Sequence, residues 1–122
     1  MASGTIQKYT DGNDSGWKTV PKSSEMSSTG YIYLRKIGNI VYLYIRGVKF
    51  STNVTDSNAH TIGTLESGYR PTHSNIDGWA GYDTVTPGIV TVKSSGLINF
   101  VKPADVATWS YTIYGSVVFP TD

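Results

Sequence analysis

The chain contains no cysteine, which excludes disulfide bonds, thiolate nucleophiles and zinc sites built on cysteine. It also has few charged residues, only 16% of its 122, so Ser, Thr, Asn, Gly and Tyr must form most of the exterior. Ten Lys and Arg against nine Asp and Glu are spread along the chain without a basic stripe. This distribution argues against duplex nucleic acid as a partner.

Long apolar segments are lacking as well. No run approaches the roughly 20 residues that a membrane helix needs, so we expect no membrane partner. The amino terminus, MASGTIQKYTDGNDSG, has no apolar stretch of the kind found in signal peptides, which predicts synthesis in the cytoplasm.

Groups that could support catalysis or bind a metal are scarce. His60 and His73 are the only histidines, and they do not form a ligand-spacing motif. No serine lies in a nucleophile elbow. Asp77 and Asp83 could converge as a glycosidase pair, but their spacing does not fix their separation. We therefore expect no metal, no cofactor and no enzymatic activity.

What is present is a pattern of short strands. Residues 1–15 are polar and predict a linker, and residues 16–122 predict one domain. In that domain β-branched and aromatic runs alternate with turn residues, and no amphipathic helix of useful length is found. About eight short strands predict an all-β fold, an antiparallel β-sandwich or barrel. The predicted strands are 17–20, 60–65, 75–82 (with a bulge or bend at its glycines), 88–93, 97–101 and 109–119, together with a hairpin over 31–50.

The hairpin is the clearest local signal. Gly38-Asn39 suits a type II′ turn, and pairing Ile37 with Ile40 sets the register. One face is then mostly aliphatic, with Ile32, Leu34, Lys36, Val41, Leu43 and Ile45. The other face carries Tyr31, Tyr33, Arg35, Tyr42, Tyr44 and Arg46. We interpret this second, flat face as a subunit interface, with packing against another sheet of the same chain as the alternative.

The chain is rich in aromatic residues, with three Trp, nine Tyr and three Phe. Such side chains suit sugar rings and wet interfaces as well as cores. We assign Trp17, Phe50, Phe100 and Phe119 to the core. Trp79 has polar and flexible neighbours and is the best surface candidate. The predicted ligand site combines Trp79, Asp77, His73, Tyr82 and Arg70.

Three stretches together resemble a known family. They are YLRKIGNIVY at 33–42, LESGYRP at 65–71 and YGSVVFPTD at 114–122. The chain resembles the head domains of receptor-binding proteins from tailed phages of Gram-positive bacteria, of the lactococcal-phage type, over roughly residues 16–122.

The resemblance implies a homotrimeric, barrel or jelly-roll-like head at the tail tip or baseplate of a virion, with residues 1–15 as a linker or the remnant of a neck. It implies adsorption through host cell-wall polysaccharide or polyol-phosphate polymers, with other baseplate proteins as partners. Segments like LESGYRP also occur in other tail and baseplate appendages, so a structural baseplate module without host contact remains an alternative. A wall-glycan hydrolase is the other alternative.

Overall fold

Alternating apolar and polar residues form eight antiparallel strands in residues 13–121, which the computed structural model describes. No helix lies among residues 14–121. The strands are β1 (Lys18–Val20), β2 (Tyr31–Ile37), β3 (Ile40–Val48), β4 (His60–Thr64), β5 (Ile76–Gly81), β6 (Gly88–Val92), β7 (Leu97–Val101) and β8 (Ile113–Pro120). The predicted all-β class and strand number are confirmed.

The strands follow the order β1-β2-β3-β8-β5-β6-β7-β4 in a single sheet. Its two edges approach each other just after β1, where Lys22 forms a bridge with Gly63. The backbone N–H of Ser23 also donates to the carbonyl of Ile62 at 3.0 Å. The sheet is therefore a nearly closed barrel with one interior, and its outer surface is the place for a binding site.

The hairpin of β2 and β3 has the predicted register. Ile37 pairs with Ile40 and Tyr33 with Tyr44. Gly38 has a φ of 61°, a left-handed conformation that glycine adopts without steric cost. Strands β6 and β7, predicted at 88–93 and 97–101, also form a hairpin, and Gly96 at the end of its turn has a φ of 99°.

The aliphatic face of the first hairpin faces the barrel interior. Phe50, Phe100 and Phe119 are buried there, as predicted, and Trp109 is only 1% exposed. Because inward and outward residues alternate along each strand, the tyrosine-rich face of the hairpin lies on the outside. Residues 13–121 form a single sheet, so within them this face does not pack against another sheet.

The assignment of Trp17 to the core is wrong, because the side chain is 53% exposed. Trp17 precedes the short edge strand β1, and its ring lies against the outer side chains of Tyr33 and Tyr44. The ring thus covers the outside of the hairpin.

Two further expectations differ from the structure. Strand β5 pairs with β6 in regular register despite its glycines, and the irregularities lie in β3, between Arg46 and Val48, and in β4. The last strand begins at Ile113, while Trp109 forms only an isolated bridge with Val54.

Part of the predicted linker contacts the barrel. Asp14 forms a bridge with Ile37, and the backbone N–H of Ser15 donates to the carbonyl of Lys36 at 2.8 Å. Residues 1–12 of the predicted linker lie outside the described residues.

Candidate functional site

Strand β5 carries two of the predicted ligand residues on its outer face. Asp77 and Trp79 are two positions apart and so point to the same side of the sheet, and Trp79 is 69% exposed. Thr91, opposite Asp77 in β6, donates its hydroxyl to Asp77 Oδ1 at 2.7 Å. A carboxylate has lone pairs for further donors, so this face offers an exposed ring and a hydrogen-bond acceptor.

Tyr82 lies just beyond β5 in an aromatic cluster. Its ring stacks on Tyr111, with centroids 5.7 Å apart and planes at 17°, and lies 6.5 Å from Tyr114. Trp79, Tyr82 and Tyr114 line a depression of about 280 Å³. Trp79 also lines a neighbouring depression of about 360 Å³ that includes Ile89. The exposed indole therefore borders two shallow cavities.

Arg70 and His73 belong to the loop between β4 and β5. Arg70 donates its Nε–H to the carbonyl of Leu65 at 2.9 Å and lines a different depression, of about 430 Å³, with Ser94. His73 is exposed. Asn75, at the start of β5, accepts a hydrogen bond from the backbone of Ser94, so this loop lies at the turn between β6 and β7.

The five predicted ligand residues thus occupy two regions. Trp79 and Tyr82 share one depression, and Arg70 lines another. The first depression lies toward the end of β5, whereas the second lies near its start, where Asn75 accepts a hydrogen bond from Ser94. Asp77 lies between them, near the start of β5.

The six residues predicted to form a subunit interface lie on the outer face of β2 and β3. They form the cross-strand pairs Tyr31 with Arg46, Tyr33 with Tyr44, and Arg35 with Tyr42. Tyr31 is 68% exposed, whereas Tyr33 and Tyr44 are half-buried. Trp17 covers part of this pair.

Trp17 makes this face partly concave. Its ring meets Tyr33 edge-on, with centroids 5.3 Å apart, and meets Tyr44 at a tilt of 60° and 5.4 Å. The resulting depression, the Trp17 cleft, has a volume of about 610 Å³. Its lining residues are Trp17, Lys18, Thr19, Tyr31, Tyr33, Tyr44 and Arg46.

An ion pair fixes the chain beside this cleft. Arg35 donates its Nε–H to Asp14 Oδ1 at 2.9 Å, and its guanidinium lies 5.7 Å from the Trp17 ring. This hydrogen bond, with a second from the backbone N–H of Gly16, lowers the pKa of Asp14 to about 2. Asp14 is therefore ionised at neutral pH and holds Arg35 against the indole.

Sequence comparison gives no relative: no family model matches the chain, and no curated protein is significantly similar to it. Among solved structures, it is similar to the crystal structure of the head domain of phage bIL170, described among the receptor-binding domains of lactococcal phages. The TM-score is 0.71, and the match covers 85% of this chain and 96% of that domain. The chain has the fold of that head domain. Sequence identity is 18%, so the likeness concerns the fold.

The two aspartates of the hypothetical glycosidase pair lie at different places along β5. Asp77 is near the start of the strand, and Asp83 follows its end and lines the depression beside Trp79. Among residues 13–121, no group of three or more His, Asp or Glu residues could hold a metal ion. No helix there is long and apolar enough to span a membrane.

His60 connects two loops of the head-domain fold. Its Nδ1 lies 2.9 Å from a carboxylate oxygen of Glu25, and its Nε2 lies 2.9 Å from one of Asp56. The hydrogen bond to Glu25, more than that to Asp56, raises the pKa of His60, although partial burial opposes the shift. The hydrogen bond from His60 lowers the pKa of Asp56, with a smaller effect from Lys102.

These shifts predict how stability depends on pH. The raised pKa of His60 means that its stabilisation is complete below about 6.5, the ordinary value, and is lost as pH rises through the raised pKa. The lowered pKa of Asp56 means that its contribution is present above about 3.8 and is lost as pH falls through the lowered value. Urea unfolding at a series of pH values should therefore show that stability declines as pH rises above about 6.5, and His60→Gln should abolish this decline. Equal slopes for both proteins would contradict this assignment.

Proposed function

We propose that this chain is a noncatalytic receptor-binding head of a phage tail tip or baseplate, which recognises host cell-wall saccharide during adsorption. The observation that carries the proposal is the exposed indole of Trp79 beside the Asp77 carboxylate on the outer face of the barrel. The likeness to the bIL170 head domain, which belongs to the receptor-binding domains of lactococcal phages, supports the biological setting.

The chemistry of this face suits a sugar. The C–H face of a sugar ring packs on an aromatic ring, and its hydroxyls need hydrogen-bond partners close by. Trp79 offers the ring, while Asp77 and the Thr91 hydroxyl bonded to it offer polar partners. Tyr82, held by its stack on Tyr111, extends the surface beyond the strand.

Arg70 and His73 have a separate role in this proposal. They lie at the other end of β5, next to the turn between β6 and β7. There Arg70 shares its depression with Lys36 and the hydroxyl of Ser94. Two cations and a hydroxyl suit a phosphate of a polyol-phosphate polymer, so this region would contact a distant part of the same wall polymer.

A shallow site binds weakly by itself, so we propose that the chain acts as a homotrimer whose linked sites gain avidity. The subunit contact would use the outer face of β2 and β3. Because the Trp17 cleft makes half of this face concave, the flatter half around Tyr42 is the better contact surface. The exposed Val118 of β8 extends it, lying opposite Tyr42.

The homotrimer has a direct test. Light scattering on a sizing column should give three times the chain mass at micromolar concentration. A monomer mass under these conditions would contradict the proposed oligomer without affecting the saccharide site.

Binding to cell walls tests the function itself. The purified chain should bind polysaccharide from walls of some Gram-positive bacteria in a titration panel and should release no sugar from them. Absence of binding across a broad panel would favour a structural baseplate module, and release of sugar would favour a hydrolase. Either result would overturn the proposal.

A further inference from the structure

The Trp17 cleft lies outside the ligand region around Trp79. Trp17 and the hairpin tyrosines belong to the β1–β3 side of the sheet, and strand β8 separates β3 from β5. We propose that this cleft is a second saccharide site, selective for a sugar that carries an acidic group. This inference takes one point from the proposed function, namely that the ligand is a saccharide.

The aromatic side chains in the cleft form walls and a floor. Trp17 meets Tyr33 at 86°, so the indole stands upright over the hairpin. Trp17 and Tyr31 are 53% and 68% exposed, and the half-buried Tyr33 and Tyr44 form the base. Three phenol hydroxyls add hydrogen-bonding groups to this apolar surface. This arrangement suits a ring with apolar faces and a polar edge, as in a pyranose.

Backbone contacts on both sides of Trp17 hold the wall of the cleft in place. On one side of Trp17, Ser15 exchanges two hydrogen bonds with Lys36, one through its backbone N–H at 2.8 Å and one through its Oγ at 2.9 Å. On the other side, Thr19 pairs with Tyr33. The volume, about 610 Å³, falls within the roughly 300–1,000 Å³ of small-molecule sites. A ligand would therefore bind with little ordering cost.

The charges point to an acidic ligand. Lys18 and Arg46 are the charged residues that line the described cleft, and no carboxylate lines it. Lys18 directs its Nζ toward the Tyr69 ring, 5.3 Å away, which leaves Arg46 as the cation at the opening. Its guanidinium lies 5.5 Å from the centroid of the Tyr114 ring, and its N–H groups can donate hydrogen bonds to an anion.

The three tryptophans allow a site-specific test. Their indole N–H signals in a ¹H–¹⁵N spectrum, assigned with single Trp→Phe variants, report on the cleft (Trp17), the β5 face (Trp79) and the core (Trp109). Glucose 6-phosphate should shift the Trp17 signal and leave the Trp109 signal unchanged. Glucose and inorganic phosphate, each added alone, should bind the cleft more weakly than glucose 6-phosphate.

Two pairs of variants test the proposed second site. Arg46→Gln should weaken glucose 6-phosphate binding about tenfold, to near that of glucose, because it removes a charge-assisted hydrogen bond. Lys49→Gln also removes one positive charge from an exposed position of the chain and should have no effect. Trp17→Ala should abolish binding. If that variant is destabilised, Tyr31→Ala serves instead, because Tyr31 is the more exposed of the two.

The outcomes separate this inference from the proposed function. If wall polysaccharide shifts the Trp79 signal while no sugar shifts that of Trp17, the cleft is not a site, although the function stands. If Tyr33→Ser with Tyr44→Ser converts a trimer to folded monomers and the Trp17 signal responds only to protein concentration, the cleft is subunit contact. Either result overturns the second site. If neither indole responds to any glycan, the proposed function fails too.

Discussion

Replacing Trp109 with alanine is expected to lower the free energy of unfolding by about 3–5 kcal/mol. Trp109 is 1% exposed, and its ring centroid lies 5.0 Å from that of Phe100 and 5.3 Å from that of Tyr111. Truncation would leave a cavity in the one interior that the barrel has. Since small domains are stable by only about 5–15 kcal/mol, urea unfolding should show a large shift in midpoint.

Trp109→Phe is the matched control. Phenylalanine keeps an aromatic ring against Phe100, and no hydrogen bond to residues 13–121 is lost, because the buried Nε1 of Trp109 has no partner among them. The expected loss is therefore well below that of the alanine variant. If the two substitutions lower the free energy of unfolding equally, packing of the aromatic ring is not the source of the stability that Trp109 provides.

The hairpin of β2 and β3 was predictable because two independent local signals agree there. Gly38-Asn39 fixes the turn, and the alternation of aliphatic with aromatic residues fixes which side faces the core. A slip of one residue would expose Ile32 and Leu43 and bury the tyrosines. The structure has the register that both signals require.

The position of Trp17 was not predictable in the same way. Strand β1 has three residues, too few for alternation to show which side faces the interior. The environment of Trp17 comes from Tyr33 and Tyr44, which lie far along the chain. The exposure of the indole, and the cleft it creates, depend on this long-range contact.

The candidate ligand site was predictable only in part. The exposure of Trp79 follows from its polar and glycine neighbours, but its closeness in sequence to Arg70 does not place the two side chains in one depression. An extended strand carries neighbouring residues apart, whereas the insertion of β8 between β3 and β5 brings Tyr114 to Tyr82. Strand order of this kind is not encoded in local patterns.

Trp79→Ala is expected to reduce binding of a wall saccharide about tenfold at a single site, because an exposed aromatic platform contributes roughly 1–2 kcal/mol. In a trimer the loss occurs three times. When three linked sites bind one surface, the tenfold losses of affinity at the three sites multiply. Adsorption to cells should then fall by up to about a thousandfold. Titration with an isolated wall fragment measures the first effect, and a cell-adsorption assay measures the second.

The fold should tolerate this substitution, since a side chain that is 69% exposed has few interior contacts to lose. An unchanged melting temperature is thus part of the expected result, and it separates lost recognition from lost structure. Trp79→Tyr is the matched control, because a phenol ring also packs on a sugar face and should restore most of the binding. If Trp79→Ala adsorbs as well as the parent chain, recognition does not use this face of β5. A lower melting temperature would instead mean that the indole stabilises the barrel.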